Sequence, residues 1–189
     1  MAATMDKHSP TAAEFSRLVP VDRLEQGEVM EGIRAREGER RALAERFGLI
    51  ALEGLEAEVR LRRIESGPIV RVEGRFFAAV VQTCVVSLEP VASRLEESFS
   101  LLYAPAGRAK ARKARREEGG EELREWPEPI EEGAIDIGEA VAQQLALALD
   151  PYPRKPGARL EDMIGDAPGV KTAPESPFAV LARLARRGS

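Results

Sequence analysis

Hydrophobic and polar positions alternate over much of the middle of the chain, with the period of two that half-buried β-strands show. The alternation occupies three runs, at residues 55–62, 70–80 and 91–103. A Ser-Gly-Pro turn signal at 66–68 separates the first two runs, and Leu-Glu-Pro at 88–90 separates the last two. The pattern predicts an antiparallel meander with one buried face and one wet face.

Two segments before the meander also carry structural signals. Residues 15–21 place Phe15, Val19 and Val21 in an alternating register, which predicts a strand. Residues 38–47 carry hydrophobic side chains four positions apart and then meet Gly48. This spacing predicts a short amphipathic helix that ends at a glycine.

After the meander, the chain carries a short edge-strand signal at 134–137 and a second helix signal. Asp136 followed by Glu139 has the form of a capping box, and the helix is expected to end at 150–151. Its hydrophobic face consists of Val141, Leu145 and Leu149. Together the elements predict an α+β fold in which two helices pack on one face of an antiparallel sheet of four or five strands. Closure of that sheet into a barrel remains an alternative.

Length favours one domain with tails over two small domains. The chain has 189 residues, of which 43% are hydrophobic, enough for a single core. We assign residues 1–13 to a disordered amino terminus and 14–150 to the α+β domain. Residues 151–189 form a Pro- and Gly-rich tail that ends in a short amphipathic helix. The formal net charge of −4 excludes a globally basic nucleic-acid coat, so only local basic patches remain as candidates.

A charged block within residues 105–127 is predicted to be a mobile insertion, because such a block cannot pack into a core. Six of the nine residues from 108 to 116 are basic. These RNA-binding candidates are Arg108, Lys110, Arg112, Lys113, Arg115 and Arg116. Polybasic segments gain affinity for phosphate backbones by releasing counterions, but no aromatic residue is interleaved for base stacking. The block is therefore interpreted either as an RNA contact or as an inert linker.

The scarcity of cysteine and histidine restricts the chemistry. One cysteine, Cys84, and one histidine, His8, exclude an intramolecular disulfide and make a zinc site or a nucleophile–histidine pair improbable. A single cysteine at the end of a hydrophobic strand is more often a small buried residue than a reactive thiol. Four carboxylates could suggest magnesium, but a solvated acidic loop is the more probable interpretation. They are Glu128, Glu131, Glu132 and Asp136. We expect no metal, no cofactor and no catalytic residue.

Three segments in order along the chain resemble the YceD-like family, also called large ribosomal RNA subunit accumulation proteins. Residues 84–90, Cys-Val-Val-Ser-Leu-Glu-Pro, are similar to a family motif of Cys-x-x-Cys followed by Leu-Glu-Pro. Residues 136–153 resemble the family's acidic start and leucine-rich segment that ends in prolines, and 176–184 its short terminal motif. The family's second cysteine is Ser87 here, which puts a metal or redox role of the pair in doubt.

The resemblance implies a cytoplasmic protein, bacterial or organellar, that is needed for normal levels of large-subunit ribosomal RNA and has no established enzymatic activity. The motif turn consists of Cys84, Ser87, Leu88, Glu89 and Pro90. It is either architecture or a contact surface. The expected partner is ribosomal RNA or a large-subunit ribosomal protein, and we expect neither a membrane nor DNA.

Two other functional hypotheses belong to different classes. The terminal stripe of Phe178, Leu181 and Leu184 fits either intramolecular docking or a helix offered to a partner. A pure protein-interaction adaptor would use that helix without any RNA contact. An enzyme with Cys84 as nucleophile is the least favoured hypothesis, because the predicted folded core contains no histidine.

Overall fold

A computed structural model of the protein describes residues 13–64, 67–105 and 127–158. Within these ranges it confirms the α+β class, with mostly antiparallel strands and two α-helices. The elements in chain order are β1 (Leu18–Pro20), a 3-10 turn (Val21–Glu25), β2 (Val29–Arg34), α1 (Glu37–Phe47), β3 (Ala51–Arg63), β4 (Val70–Thr83), β5 (Pro90–Pro105), β6 (Glu128–Ile130), β7 (Ala134–Asp136) and α2 (Ile137–Ala148). The helices among these residues include none that is long and apolar enough to cross a membrane.

The main sheet has five strands in the order β2-β3-β4-β5-β6. Strands β3 to β5 form the predicted antiparallel meander; β2 extends it by pairing antiparallel with β3, and β6 adds to β5 in parallel. Because β2 and β6 lie at opposite edges and do not pair, the sheet is open and the barrel alternative does not apply. The predicted edge strand at 134–137 forms β7, but it pairs with β1 in a separate two-stranded sheet.

The core lies on the face of the main sheet that the alternation predicts. In β4, the even-numbered residues from Val70 to Val80 point inward, and they pair with inward residues of β3, as Val72 does with Leu61. Leu43 of α1 and Leu145 of α2 belong to the same buried cluster, so both helices cover this face. Burying each such side chain stabilises the fold by about 1.5–3 kcal/mol relative to exposure.

The helix ends follow the signals in the sequence, with one difference. Helix α1 ends at Gly48, whose φ of 64° places it in the left-handed region that glycine adopts at little cost. At the start of α2, Asp136 Oδ1 accepts hydrogen bonds from the backbone N–H groups of Gly138 and Glu139, at 3.0 and 3.2 Å. In a full capping box, the Glu139 carboxylate would also accept a hydrogen bond from the backbone N–H of Asp136. Here that carboxylate binds the Arg46 guanidinium instead.

The first turn of α2 lies directly against the chain that leads into β1. The N–H of Ile137 donates to the carbonyl of Arg17 at 3.0 Å, and the N–H of Arg17 donates to Asp136 Oδ1 at 2.7 Å. A Cβ at Gly138 would overlap the carbonyl oxygen of Phe15. The absence of a side chain at position 138 therefore permits this close approach.

Several predictions fall on residues that the structure does not describe. The amino-terminal segment to residue 12, the insertion from 106 to 126 and the tail from 159 to 189 lie outside the described ranges. The predicted domain boundaries therefore stay predictions. The first eight residues of the predicted tail, 151–158, are described, and part of this segment contacts the turn between β4 and β5.

Candidate functional site: two motifs that meet at one end of the sheet

The motif turn at residues 84–90 joins β4 to β5. The N–H of Cys84 donates to the carbonyl of Glu89 at 2.9 Å, and the N–H of Leu88 donates to the carbonyl of Cys84 at 3.0 Å. Leu88 has a φ of 59°, a left-handed conformation that costs a non-glycine residue about 1–2 kcal/mol. The turn is thus closed by its own backbone and held in a strained shape.

The Cys84 sulfur binds two backbone segments. It accepts hydrogen bonds from the N–H of Ser87 at 3.3 Å and from the N–H of Lys155 at 3.4 Å. Its side chain is completely buried. A second link forms beside it, where the N–H of Val85 donates to the carbonyl of Pro153 at 2.9 Å. The second family motif, which continues beyond α2, is thereby attached to the first.

Side chains reinforce the same junction. Lys155 Nζ lies 2.9 Å from Glu89 Oε2, and this contact lowers the pKa of the Glu89 carboxyl below its usual value. Gln82, near the end of β4, donates from Nε2 to the carbonyl of Asp150 at 2.9 Å. Both pairs are exposed to solvent, so they orient the two segments more than they stabilise them.

The surroundings of the Cys84 sulfur favour its charged form more than those of an ordinary thiol. Hydrogen bonds from the backbone N–H groups of Lys155 and Ser87 lower the thiol pKa, and burial opposes this effect. However, the sulfur has no exposed surface through which a substrate would reach it. In this arrangement the sulfur serves as a hydrogen-bond acceptor that joins two segments.

Ser87, at the position of the family's second cysteine, contributes its backbone N–H to the Cys84 sulfur. Its hydroxyl oxygen is buried and finds no hydrogen-bond partner among the described residues. Over residues 13–64, 67–105 and 127–158, no three His, Cys, Asp or Glu side chains come together as metal ligands would. The residues described at this turn therefore do not fit a thiolate metal centre.

Three apolar side chains are exposed at the junction, beside the solvent-exposed pair of Lys155 and Glu89. Leu88 is 70% exposed and Val85 is 47% exposed, both from the first motif. Tyr152, from the second motif, is 71% exposed and adjoins Pro153, the partner of Val85. Neither Tyr152 nor Val85 was among the predicted contact residues. Their positions inside two family motifs were the only available signal, and the fold brings those motifs together.

The other predicted site residues lie elsewhere. Glu128 is in β6, Glu131 and Glu132 lie in the turn before β7, and Asp136 caps α2. The capping role of Asp136 agrees with the capping-box pattern and not with the alternative assignment of its carboxylate to a solvated acidic loop. The six basic candidates at 108–116 and the terminal stripe of Phe178, Leu181 and Leu184 lie outside the described residues, so their roles stay predictions.

A family model now adds to this geometry. The model described as "Large ribosomal RNA subunit accumulation protein YceD" matches residues 72–185, which include most of β4, the motif turn, α2 and the segment that binds Cys84. The chain belongs to the YceD family. No curated protein and no solved structure gives a significant match. The matched region thus contains both halves of the junction at Cys84.

Proposed function

We propose that this YceD family member is a non-enzymatic factor that supports the accumulation of large-subunit ribosomal RNA in the bacterial cytoplasm. It would act by binding the ribosomal RNA, a large-subunit ribosomal protein, or both. The observation that carries the proposal is the family match over residues 72–185. The family's description names the RNA whose level is affected, and the match covers more than half of the chain.

The geometry of the junction supports binding as the mode of action. The Cys84 thiol is buried and accepts two backbone N–H groups, so it is poorly placed to act as a nucleophile. Around it, Val85, Leu88 and Tyr152 present apolar surface to solvent. Exposed apolar side chains held by a strained turn are typical of contact surfaces.

Depletion of the protein in its host tests this proposal. We expect the ratio of large-subunit to small-subunit ribosomal RNA to fall, and the native chain to restore it. A Cys84→Ser variant is expected to restore it as well, because no covalent chemistry is assigned to the thiol. Unchanged ribosomal RNA levels and subunit profiles after depletion would refute the proposal.

A second experiment distinguishes RNA contact from a pure adaptor role. If the basic segment contacts RNA, co-sedimentation with large-subunit precursors is salt-sensitive and weakens when Arg112, Lys113, Arg115 and Arg116 are changed to alanine. If the protein is an adaptor that docks through its terminal helix, deletion of residues 176–189 abolishes partner capture while the basic-segment variant still binds.

A further inference from the structure

The outer face of the main sheet, opposite the two helices, carries more positive than negative charge. Its side chains come from alternate positions of β2 to β5, where the registers place Glu56, Phe77 and Glu96 on neighbouring strands. Six arginines and four glutamates lie on this face, a local net charge of +2 in a chain whose net charge is −4. The arginines are Arg34, Arg60, Arg62, Arg71, Arg75 and Arg94, and the glutamates are Glu56, Glu58, Glu73 and Glu96.

Most of the acidic groups on the outer face are already paired with arginine. Arg34 pairs with Glu56 at 2.7 Å, Arg62 with Glu73 at 3.6 Å, and Arg75 with Glu96. Arg60 pairs with Glu28, which precedes β2, at 3.2 Å. These pairs neutralise the carboxylates that would otherwise repel a phosphate backbone. The two remaining arginines of the face are therefore the best placed to bind an additional anion.

Arg71 and Arg94 are these two arginines. Arg71 lies directly opposite Arg62 in the β3–β4 register, where like charges destabilise a sheet unless an anion lies between or above them. The Arg71 Nε is buried and has no hydrogen-bond partner in the described part of the chain. Arg94 makes no ion pair with any described residue, and it lines a shallow cavity of about 310 Å³.

An exposed aromatic ring stands in that same cavity. Phe77 is 44% exposed although the Arg75 guanidinium lies 5.0 Å from its ring centroid. Small residues, Gly54 and Ala79, line the cavity beside the ring and leave room above the sheet. The cross-strand neighbours of Phe77 are Glu56 and Glu96, each paired with an arginine. Arg94 lies two residues from Glu96 on the same face of β5. An aromatic side chain on an open sheet face, beside arginines that neutralise the neighbouring carboxylates, has the features of a platform on which a nucleobase stacks.

We propose that the outer face of the sheet binds single-stranded RNA, with one base stacked on Phe77 and backbone phosphates on Arg94 and Arg71. Phe77 and Arg71 are six residues apart on β4, a span of about 20 Å at 3.3 Å per residue. This inference rests on the proposed function, because it assigns an RNA site within it. The proposed site on the sheet would bind RNA by base stacking as well as by charge, whereas the basic segment at 108–116 would bind by charge alone.

Fluorescence anisotropy tests the site with the purified full-length chain. The probes are 5′-labelled oligouridylate and oligoadenylate of roughly 12 nucleotides, a length within the usual range for single-strand sites. Both should bind. A matched RNA duplex should bind more weakly, because its bases are not free to stack on Phe77.

Substitutions separate stacking from charge. Phe77→Ala and Phe77→Leu should each weaken binding about five-fold or more, since leucine keeps the apolar volume but removes the aromatic face. Loss of one phosphate contact in Arg94→Ala should make the slope of the log association constant against log salt concentration shallower by about 0.7. Arg41→Ala, which removes the same charge from the exposed surface of α1, is the control and should bind as the native chain does. Circular dichroism confirms that each variant is folded.

Three results would overturn the inference. Native affinity in both Phe77 variants would exclude stacking at this face. An equal loss in Arg41→Ala and Arg94→Ala would indicate diffuse attraction to net charge. Failure of the native chain to bind either oligonucleotide would exclude the site outright. In each case a fall in large-subunit ribosomal RNA upon depletion would still support the proposed function, so the two failures are distinguishable.

Discussion

The sulfur of Cys84 accepts a hydrogen bond from the backbone N–H of Lys155, 71 residues later in the chain, at 3.4 Å. This contact joins the turn after β4 to the segment after α2, and each segment carries a YceD family motif. The Val85 to Pro153 hydrogen bond lies beside it. The two motifs are therefore parts of one surface, a relationship that their separation in sequence conceals.

Removal of the Cys84 sulfur should loosen this junction. In Cys84→Ala, two partly buried backbone N–H groups lose their acceptor, and the loss of each hydrogen bond should cost about 1 kcal/mol. Cys84→Ser keeps an acceptor and should lose less. Urea denaturation of the three proteins measures the differences. A Cys84→Ala protein as stable as the native chain would show that the sulfur does not hold the two segments together.

Gly138→Ala should destabilise the fold because an added Cβ overlaps the backbone of Phe15 and Arg17. Such overpacking costs about 1–3 kcal/mol. The matched control is Gly38→Ala, in the first turn of α1, where a Cβ meets open space and alanine favours the helix by about 0.5 kcal/mol. Thermal melts should show opposite shifts. Equal shifts would contradict the close approach of α2 to the segment before β1.

Stability at acidic pH should depend on Glu139. Hydrogen bonds from Arg46, and secondarily Gln143, lower the pKa of Glu139 in the folded state below the unfolded value of about 4.3. Its contribution is therefore complete above the unfolded pKa and is lost as pH falls through the folded pKa.

Urea titrations between roughly pH 6 and 3 should show a flatter pH dependence in Glu139→Gln than in the native chain. The loss at neutral pH should be only about 0.5 kcal/mol, because the pair is partly solvated. Glu58→Gln, at an exposed position whose carboxylate makes no ion pair among the described residues, is the control. Glu58→Gln should follow the native pH profile. If Glu139→Gln follows it as well, the Arg46–Glu139 contact does not stabilise the fold.

Leu88 should show a conflict between stability and function. Glycine adopts a φ of 59° at little cost, so Leu88→Gly should relieve up to about 1 kcal/mol of backbone strain. The same change deletes a side chain that is 70% exposed. We expect a protein of equal or higher melting temperature that restores large-subunit ribosomal RNA poorly in depleted cells. Full restoration would show that the apolar surface of the turn is dispensable.

Periodicity predicted the elements whose signals are local. The alternation at 55–62, 70–80 and 91–103 is present in β3, β4 and β5, because a strand buried on one face needs apolar side chains at every second position. The cap of α2 at Asp136 and the end of α1 at Gly48 were likewise predictable, since both depend on the chemistry of one residue.

Strands β2 and β6 were not predicted, because they lie at the edges of the sheet and are short or poorly patterned. Strand β2 carries Gly32, and β6 contains Pro129, a residue that an edge strand tolerates but that signals a break in sequence. Their strand conformation comes from pairing with β3 and β5. Only the assembled sheet decides such pairing, since it depends on a neighbour distant in sequence.

By itself, the sequence determined the α+β class, the alternating faces of the central strands, the helix caps and the family motifs, because each is encoded within a few neighbouring residues. The tertiary structure alone decided that Lys155 meets Cys84, that Glu139 binds Arg46 rather than the backbone N–H of its own N-cap residue, and that Phe77 shares a face with Arg94. These relationships join residues far apart in sequence or on different strands. They depend on the register and packing of the whole fold, which no local pattern specifies.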